Sequence, residues 1–221
     1  MATLGIICGL QSEAEALGPL RDHRRVRVGI TAGRPDRAER AALRCLSEGC
    51  VVLMSWGIAA GLDPALPAGE AVVPAAVAGP DGHIHPMARR LFENGYGEDG
   101  PLALGVETPV MRGTDKQALH AAHGALIADM ESHRVAAVGA SSGVATVTVR
   151  VIADTAETDL PPYVAEAIDG GGWPRYGTVL GGLARRPASL PALMRLRRES
   201  NAAHAQLRRI AESGFLFPLL A

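Results

Sequence analysis

Residues 4–20 read LGIICGLQSEAEALGPL, and they contain the clearest signal for the class of fold. Residues 4–10 are a short apolar run closed by a glycine and a leucine, which is typical of a buried parallel strand. Residues 11–20 have helical character, with Glu13 and Glu15 in the first turns, where carboxylates are favourable. A strand that runs directly into a helix is the repeating unit of α/β folds, and it predicts this class here.

The same alternation of strands and helices continues along the rest of the chain. Further strands are predicted at residues 25–30, 51–55, 71–77, 102–107, 125–130 and 145–151. Further helices are predicted at residues 37–47, 116–122, 131–141 and 190–213, with a short helix between 83 and 100. Asp36 is expected to cap the helix at 37–47, and a small-residue loop is expected at 57–61. We predict a single α/β domain over residues 1–221, with a mixed central sheet flanked by helices.

Composition and charge argue against several classes of protein. Of the 221 residues, 48% are hydrophobic and the net charge is −1, which argues against intrinsic disorder. A near-neutral chain also lacks the basic surface that nucleic-acid binding requires. Three cysteines without metal-ligand spacing fit a reducing compartment, and no leader or apolar run of ~20 residues is found. We therefore expect a cytoplasmic protein that binds neither metal nor nucleic acid.

The basic residues are strongly biased towards arginine. Lys116 is the single lysine, so 21 of the 22 basic residues are arginine. We interpret this bias as a consequence of codon usage without chemical meaning.

Three carboxylates come directly after predicted strands. Glu13 follows the strand at 4–10, Glu131 follows the strand at 125–130, and Asp154 follows the strand at 145–151. Taken alone, each fits a supporting role at the start of a helix. Ligands of open α/β sheets bind beyond the carboxyl ends of strands, so together the three predict a site. The glycine-rich segment at 57–61 follows another strand, where bare backbone can approach a ligand.

Four segments then occur in a characteristic order. They are residues 5–15 (GIICGLQSEAE), 55–70 (SWGIAAGLDPALPAGE), 129–132 (DMES) and 149–154 (VRVIAD). In this order they resemble the purine nucleoside phosphorylase and nucleosidase superfamily. The closing segment 183–200 (LARRPASLPALMRLRRES) resembles a narrower group, the hopanoid-associated adenosylhopane nucleosidases or phosphorylases.

The resemblance implies cleavage of an N-ribosidic bond. The leaving purine must be protonated while positive charge develops on the ribose. Asp154 matches the aspartate that gives or shares a proton at purine N7, a role that requires a raised pKa. Glu131 matches the residue that accepts hydrogen bonds from the ribose hydroxyls. Met130 is expected to pack against the sugar face, and packing in the ordinary core fits it equally. Glu13 matches the glutamate that activates the attacking water in methylthioadenosine nucleosidases.

The resemblance also assigns Gly57, Ile58 and Ala153 to substrate binding. Two of them depart from the superfamily pattern, because relatives often carry serine at the positions of Ile58 and Ala153. Recognition of the base is therefore less defined by the sequence than recognition of the sugar.

Glu13 bears on the choice between hydrolysis and phosphorolysis. A carboxylate beside the anomeric carbon activates water and repels phosphate. Against this, Arg34 and Arg37 flank a turn at the start of a predicted helix, a place that can hold an anion such as a phosphate co-substrate. Arginines beside turns are more often solvated, so the sequence favours a hydrolase, and no other cofactor is expected.

The closing segment implies adenosylhopane as the substrate, cleaved to adenine and ribosylhopane in bacterial hopanoid synthesis. Residues 170–182 and 215–220 are expected to wall an apolar groove, and arginines between 185 and 209 to meet anionic headgroups at the inner membrane surface. A terminal helix packed on its own domain or on a second subunit fits these residues equally. The alternatives are a nucleosidase or phosphorylase of a small soluble purine nucleoside, and a non-catalytic nucleoside- or lipid-binding protein. Relatives commonly assemble, so a homo-oligomer is expected.

Overall fold

In the computed structural model, which describes residues 3–91 and 100–220, nine strands form one sheet and six α-helices surround it. The strands are β1 (Leu4–Cys8), β2 (Val26–Ile30), β3 (Val52–Gly61), β4 (Ala71–Val72), β5 (Ala76–Ala78), β6 (Ile84–Pro86), β7 (Leu102–Gly105), β8 (Ile127–Asp129) and β9 (Ala145–Asp154). The helices are α1 (Gln11–Ala16), α2 (Pro35–Ser47), α3 (Gly113–His123), α4 (Ser132–Ser142), α5 (Tyr176–Arg185) and α6 (Leu190–Glu212).

The sheet mixes parallel and antiparallel pairs. β1 lies between β2 and β3 and is parallel to both, and β3 also runs parallel to β9. β8 pairs antiparallel with the end of β3 at Ala60 and Gly61, and β7, β5 and β6 follow beyond it. Because β1, β3 and β9 are parallel, their carboxyl ends lie at one edge of the sheet.

Helices bury apolar side chains on both faces of the sheet. On one face, α6 packs Ala203, Leu207 and Ala211 in a core shared with β1 and β9, and their spacing of four residues places them on one side of the helix. On the other face, α2 and α4 pack against β1 and β3. The predicted single α/β domain with a mixed central sheet flanked by helices is confirmed.

The prediction of a loop at residues 57–61 is wrong. These residues are the second half of β3, which stays paired with β9 and then with β8 up to Gly61. A Cβ at Gly61 would lie 3.0 Å from Cγ2 of Ile152, so the small residues here reflect close packing between strands.

Other boundaries also differ from the predictions. The strand expected at 71–77 is split into β4 and β5, with Pro74 between them, a residue that cannot donate to a sheet ladder. The helix expected between 83 and 100 is replaced in its described part by β6 and a short 3-10 turn at Arg89–Leu91, and residues 92–99 lie outside the described residues. Helix α5 is not predicted, because its three glycines lower its helical propensity.

The start of α2 and the end of α1 are also corrected. Asp36 does not cap α2: Arg34 is the N-cap residue, and the Asp36 carboxylate pairs with Arg40 at 2.6 Å instead. The helix predicted over 11–20 ends at Ala16 and continues as a 3-10 turn at Gly18–Asp22.

The final residues pack mainly on their own domain. Leu216, Leu219 and Leu220 are buried in the core beneath α6, while Phe217 is 59% exposed. Residues 215–220 are therefore mostly core, which weakens the expectation that they wall a lipid groove. Across residues 3–91 and 100–220, no helix combines the length and the apolar character needed to cross a membrane.

Candidate active site

A cavity of about 330 Å³ opens where β1, β3, β8 and β9 end. Its volume is near the lower end of the ~300–1,000 Å³ range of small-molecule sites. Glu13, Glu131 and Asp154 all line it, so the structure brings the three strand-end carboxylates together. Apolar side chains from the loops after β7 and β9 cover the remaining wall; they are Val106, Pro109, Val110, Met111, Leu160, Val164 and Ile168.

Two backbone N–H groups hold the carboxylate of Glu13 in one orientation. Its Oε1 accepts a hydrogen bond from the N–H of Ile58 at 2.7 Å, and its Oε2 accepts one from the N–H of Leu10 at 2.8 Å. Burial raises the pKa of Glu13 above its ordinary value. A positioned carboxylate with a raised pKa is suited to take a proton from water.

Gly57 makes room for Glu13 and does not itself line the cavity. A Cβ at Gly57 would lie 2.3 Å from Oε1 of Glu13, far inside contact distance. The next residue, Ile58, lines the cavity and supplies the N–H described above. The glycine-rich segment therefore acts by positioning a carboxylate, and only Ile58, Ala59 and Ala60 of residues 57–61 line the cavity.

Glu131 occupies the wall next to Glu13. Its Oε1 accepts a hydrogen bond from the hydroxyl of Thr31 at 3.1 Å, and its Oε2 lies 3.4 Å from the guanidinium of Arg150. A Cβ at Gly9 would lie 3.0 Å from Oε1 of Glu131 and 3.2 Å from Oε2 of Glu13, so this glycine separates the two carboxylates. Burial raises the pKa of Glu131 to about 7, against the opposing charge of Arg150.

Arg150 organises this half of the site from behind the cavity. It is fully buried in β9, and its guanidinium donates to the hydroxyl of Ser55 at 2.6 Å and to Oδ1 of Asp129 at 2.8 Å. The same Asp129 oxygen accepts the N–H groups of Glu131 and Ser132 at 2.9 and 2.7 Å, where α4 begins. In the sequence, Arg150 stands out only as part of the segment at 149–154. The usable signal is a charged residue inside an otherwise apolar strand.

Asp154 ends β9 beside a buried lysine. Its Oδ2 pairs with the ammonium of Lys116, which also donates to the carbonyl oxygens of Thr155 at 3.0 Å and Thr158 at 2.8 Å. Burial raises the pKa of Asp154, and Lys116 limits the rise. The interpretation that the scarcity of lysine has no chemical meaning overlooks this contact, since the single lysine of the chain lies at the candidate site.

The remaining predicted residues divide into two groups. Met130 lines the cavity, whereas Ala153 packs in the core beneath α6. Arg34 pairs with Asp36 at 3.2 Å, and Arg37 donates to the carbonyl of Gly170, so neither arginine lines the cavity. Among the described residues that do line it, there is no lysine, arginine or histidine. Arg34 and Arg37 therefore lie outside the cavity, and an anion site at their turn stays a prediction.

Residues 170–182 touch only the rim of the site. The N–H of Gln11 donates to the carbonyl of Gly172 at 3.2 Å, which places this loop beside the start of α1. Helix α5 contributes no residue to the cavity lining. In the described part of the chain, no group of three or more His, Cys, Asp and Glu is arranged to hold a metal ion.

Solved structures with a similar fold cover nearly the whole chain. Futalosine hydrolase of Helicobacter pylori strain 26695 matches with a TM-score of 0.69 at 14% identity, over 99% of this chain and 97% of that one. The 5′-methylthioadenosine/S-adenosylhomocysteine nucleosidase of Neisseria meningitidis, in complex with methylthio-immucillin-A, matches with a TM-score of 0.69 at 14% identity, over 96% and 98%. The chain has the fold of these nucleosidases.

A third nucleosidase structure matches this chain with a lower TM-score, and comparisons of sequence find no match. The S-adenosylhomocysteine nucleosidase of Streptococcus pyogenes, in complex with 5-methylthiotubericidin, matches with a TM-score of 0.58 at 13% identity, over 95% and 97% of the two chains. No protein-family model and no curated protein sequence matches the chain. These structures confirm the fold that the resemblance implies, and they lend no support to the hopanoid-associated group.

Proposed function

We propose that this protein hydrolyses the N-ribosidic bond of a purine nucleoside. The observation that carries the proposal is that Glu13, Glu131 and Asp154 line one cavity. Hydrolysis of this bond needs a base for water, a partner for the ribose hydroxyls and an acid for the purine. Three carboxylates with different surroundings can divide these roles. The shared fold with futalosine hydrolase and methylthioadenosine nucleosidases supports the same reaction class.

Each carboxylate has one role in the proposed reaction. Glu13 takes a proton from the water that attacks C1′ of the ribose. Glu131 accepts hydrogen bonds from the 2′ and 3′ hydroxyls, which strengthen as the sugar gains positive charge. Asp154 gives a proton to N7 of the purine while the electron pair of the C1′–N9 bond passes to the base. Met130 lies beside the sugar.

The charge of the cavity favours water over phosphate as the nucleophile. Four carboxylate-bearing residues line it, namely Glu13, Asp129, Glu131 and Asp154, and the described lining contains no cationic side chain. A phosphate dianion in the same space would meet like charges in a partly desolvated setting. Arg150 and Lys116 lie behind carboxylates and are fully buried, so their donors are turned to protein oxygens.

Adenine release from methylthioadenosine and adenosine in phosphate-free buffer tests the proposal. The wild type is expected to release adenine, and Glu13→Gln is expected to lose about 10²–10⁴-fold in rate, as for removal of a general base. Glu15→Gln is the matched control, because Glu15 lies in the same helix and is exposed. Failure of the wild type to cleave any purine nucleoside would contradict the proposal.

Adenosylhopane is a second candidate substrate, favoured by the surface of α5 and α6. Tyr176, Leu180, Leu190 and Met194 are exposed apolar or amphipathic side chains there, at 72%, 65%, 45% and 63%. In a lipid-linked nucleoside, hydrocarbon is attached next to the sugar, and this hydrocarbon can pack on such an exposed apolar surface. Adenine release from adenosylhopane in detergent, compared with methylthioadenosine, separates the two substrates. Cytoplasmic placement, peripheral membrane contact and homo-oligomer formation stay predictions.

A third hypothesis is a non-catalytic protein that binds nucleosides, and substitution of Asp154 distinguishes it from an enzyme. For an enzyme, Asp154→Asn removes turnover, whereas a protein that only binds nucleosides has no turnover to lose and keeps its affinity. Equal affinity of wild type and variant, with no adenine release by either, would favour the binding protein.

A further inference from the structure

The mechanism above leaves one buried charge at the site without a role. The side chain of Lys116, in the first turn of α3, is fully buried, and its ammonium meets three acceptors. They are Oδ2 of Asp154 and the carbonyl oxygens of Thr155 and Thr158. A lysine ammonium has three N–H donors and no acceptor, so every donor has a partner. A neutral amine would turn its lone pair towards one of these oxygens, and the geometry therefore favours charged Lys116.

Fold stability alone gives little reason for a lysine at this position. Burial of a charged pair often stabilises a protein no better than apolar side chains of similar size. The exposed fractions of the two side chains indicate another role for Lys116. The side chain of Asp154 is 11% exposed and lines the cavity, whereas that of Lys116 is fully buried. Asp154 thus stands between the ammonium and the cavity.

We propose that Lys116 is a positioning residue that makes Asp154 an effective acid towards the leaving purine, an inference that rests on the proposed function. In the step, the O–H bond of Asp154 breaks, an N7–H bond forms, and the electron pair of the C1′–N9 bond passes to the purine. Lys116 keeps all of its protons. Its ammonium stabilises the carboxylate that forms and holds Oδ2, which leaves Oδ1 for the base.

The surroundings of the pair explain why a fixed cation is needed. Burial by itself makes Asp154 hold its proton tightly, and a weak acid protonates a purine poorly. Among the described residues, Glu199 of α6 also faces the pair, and its carboxylate accepts from the hydroxyl of Thr158 at 3.0 Å and from Arg195 at 2.7 Å. Glu199 opposes ionisation of Asp154, so Lys116 is the cation that promotes it.

Two leaving groups test this role. Wild type, Lys116→Met and Lys116→Gln are assayed with adenosine or methylthioadenosine and with 4-nitrophenyl riboside, whose nitrophenolate departs without a proton. Each variant is expected to lose about 10²–10⁴-fold in kcat with the purine substrate but under about tenfold with the nitrophenyl riboside. Asp154→Asn is expected to show the same split. The Lys116→Met/Asp154→Asn double variant should be no slower than Asp154→Asn, because the two residues act as one unit.

The outcomes separate this inference from the proposed function. Equal losses on both substrates would assign Lys116 a structural role, and unchanged purine hydrolysis would show that Asp154 needs no cation; either result overturns the inference. A wild type that cleaves no purine nucleoside refutes the proposed function itself. If Lys116→Met does not fold, Lys116→Gln still tests the inference, since its amide can donate to the carbonyls of Thr155 and Thr158.

Discussion

Replacement of Gly57 by alanine perturbs Glu13 without removing its carboxylate. The new Cβ would lie 2.3 Å from Oε1 and 2.5 Å from Cδ of Glu13, whereas ordinary contacts begin at 3.4 Å. The carboxylate must therefore move by about 1 Å, a displacement that can cost on the order of 100-fold in rate. It also weakens the 2.7 Å hydrogen bond from the N–H of Ile58.

Gly57→Ala is also expected to lower the stability of the protein, but to a lesser extent than it lowers the activity. Overpacking of this kind lowers the free energy of unfolding by about 1–3 kcal/mol, and the φ of +155° at Gly57 adds backbone strain for alanine. Gly177→Ala is the matched control, because a Cβ there has no atom within 4 Å and Gly177 lies in α5, away from the cavity lining. That variant should keep the wild-type rate and gain about 0.5–1 kcal/mol from helix propensity.

Purine-release kinetics and chemical denaturation of the same preparations measure both effects. Because Gly57→Ala acts through Glu13, the double variant Gly57→Ala/Glu13→Gln should be no slower than Glu13→Gln alone. Full activity of Gly57→Ala would show that the position of the Glu13 carboxylate does not limit the rate. A double variant much slower than Glu13→Gln would show that Gly57 acts on another group.

Three further predictions concern the buried charges. The pKa of Glu131 is raised in the folded protein from 4.5 to about 7, so the stability that its proton confers is complete below pH 4.5 and lost as the pH rises to 7. The proton on Glu131 contributes at most about 3 kcal/mol to the free energy of unfolding. In urea denaturation between pH 4.5 and 7, the stability of Glu131→Gln should therefore depend less on pH than that of the wild type. An equal pH dependence of the two proteins would contradict this prediction. Arg150→Met leaves Asp129 and Glu131 without their buried cation, so it should lower the free energy of unfolding at neutral pH by about 3–5 kcal/mol. A denaturation curve close to that of the wild type would show that Arg150 does not stabilise these two carboxylates. Asp154→Asn should lose about 10²–10⁴-fold in turnover while titration calorimetry finds nucleoside binding retained, and lost binding would show a role in affinity instead.

The convergence of the three carboxylates can be predicted from the sequence for a physical reason. The strands before Glu13, Glu131 and Asp154 are short, apolar runs that stand out from their surroundings. The carboxyl ends of parallel strands lie at one edge of a sheet, so residues that follow such runs are expected on the same side of the domain. The order itself is not predictable here, because β8 meets β3 only at Ala60 and Gly61.

The supporting residues are much harder to predict, since each acts on a residue distant in the chain. Gly57 makes space for Glu13, Arg150 holds Asp129, and Lys116 holds Asp154, and no local periodicity relates these partners. Two weak signals are present nevertheless: a charge within an apolar strand, and a lysine in a chain whose other basic residues are all arginine.

In the proposed reaction, water activated by Glu13 attacks the ribose in a cavity lined by carboxylates. Identification of the sugar product formed from methylthioadenosine in the presence of excess phosphate tests it most directly. The expected product is free 5-methylthioribose, formed at a rate that does not depend on phosphate. Formation of the sugar 1-phosphate would show that phosphate, and not water, is the nucleophile.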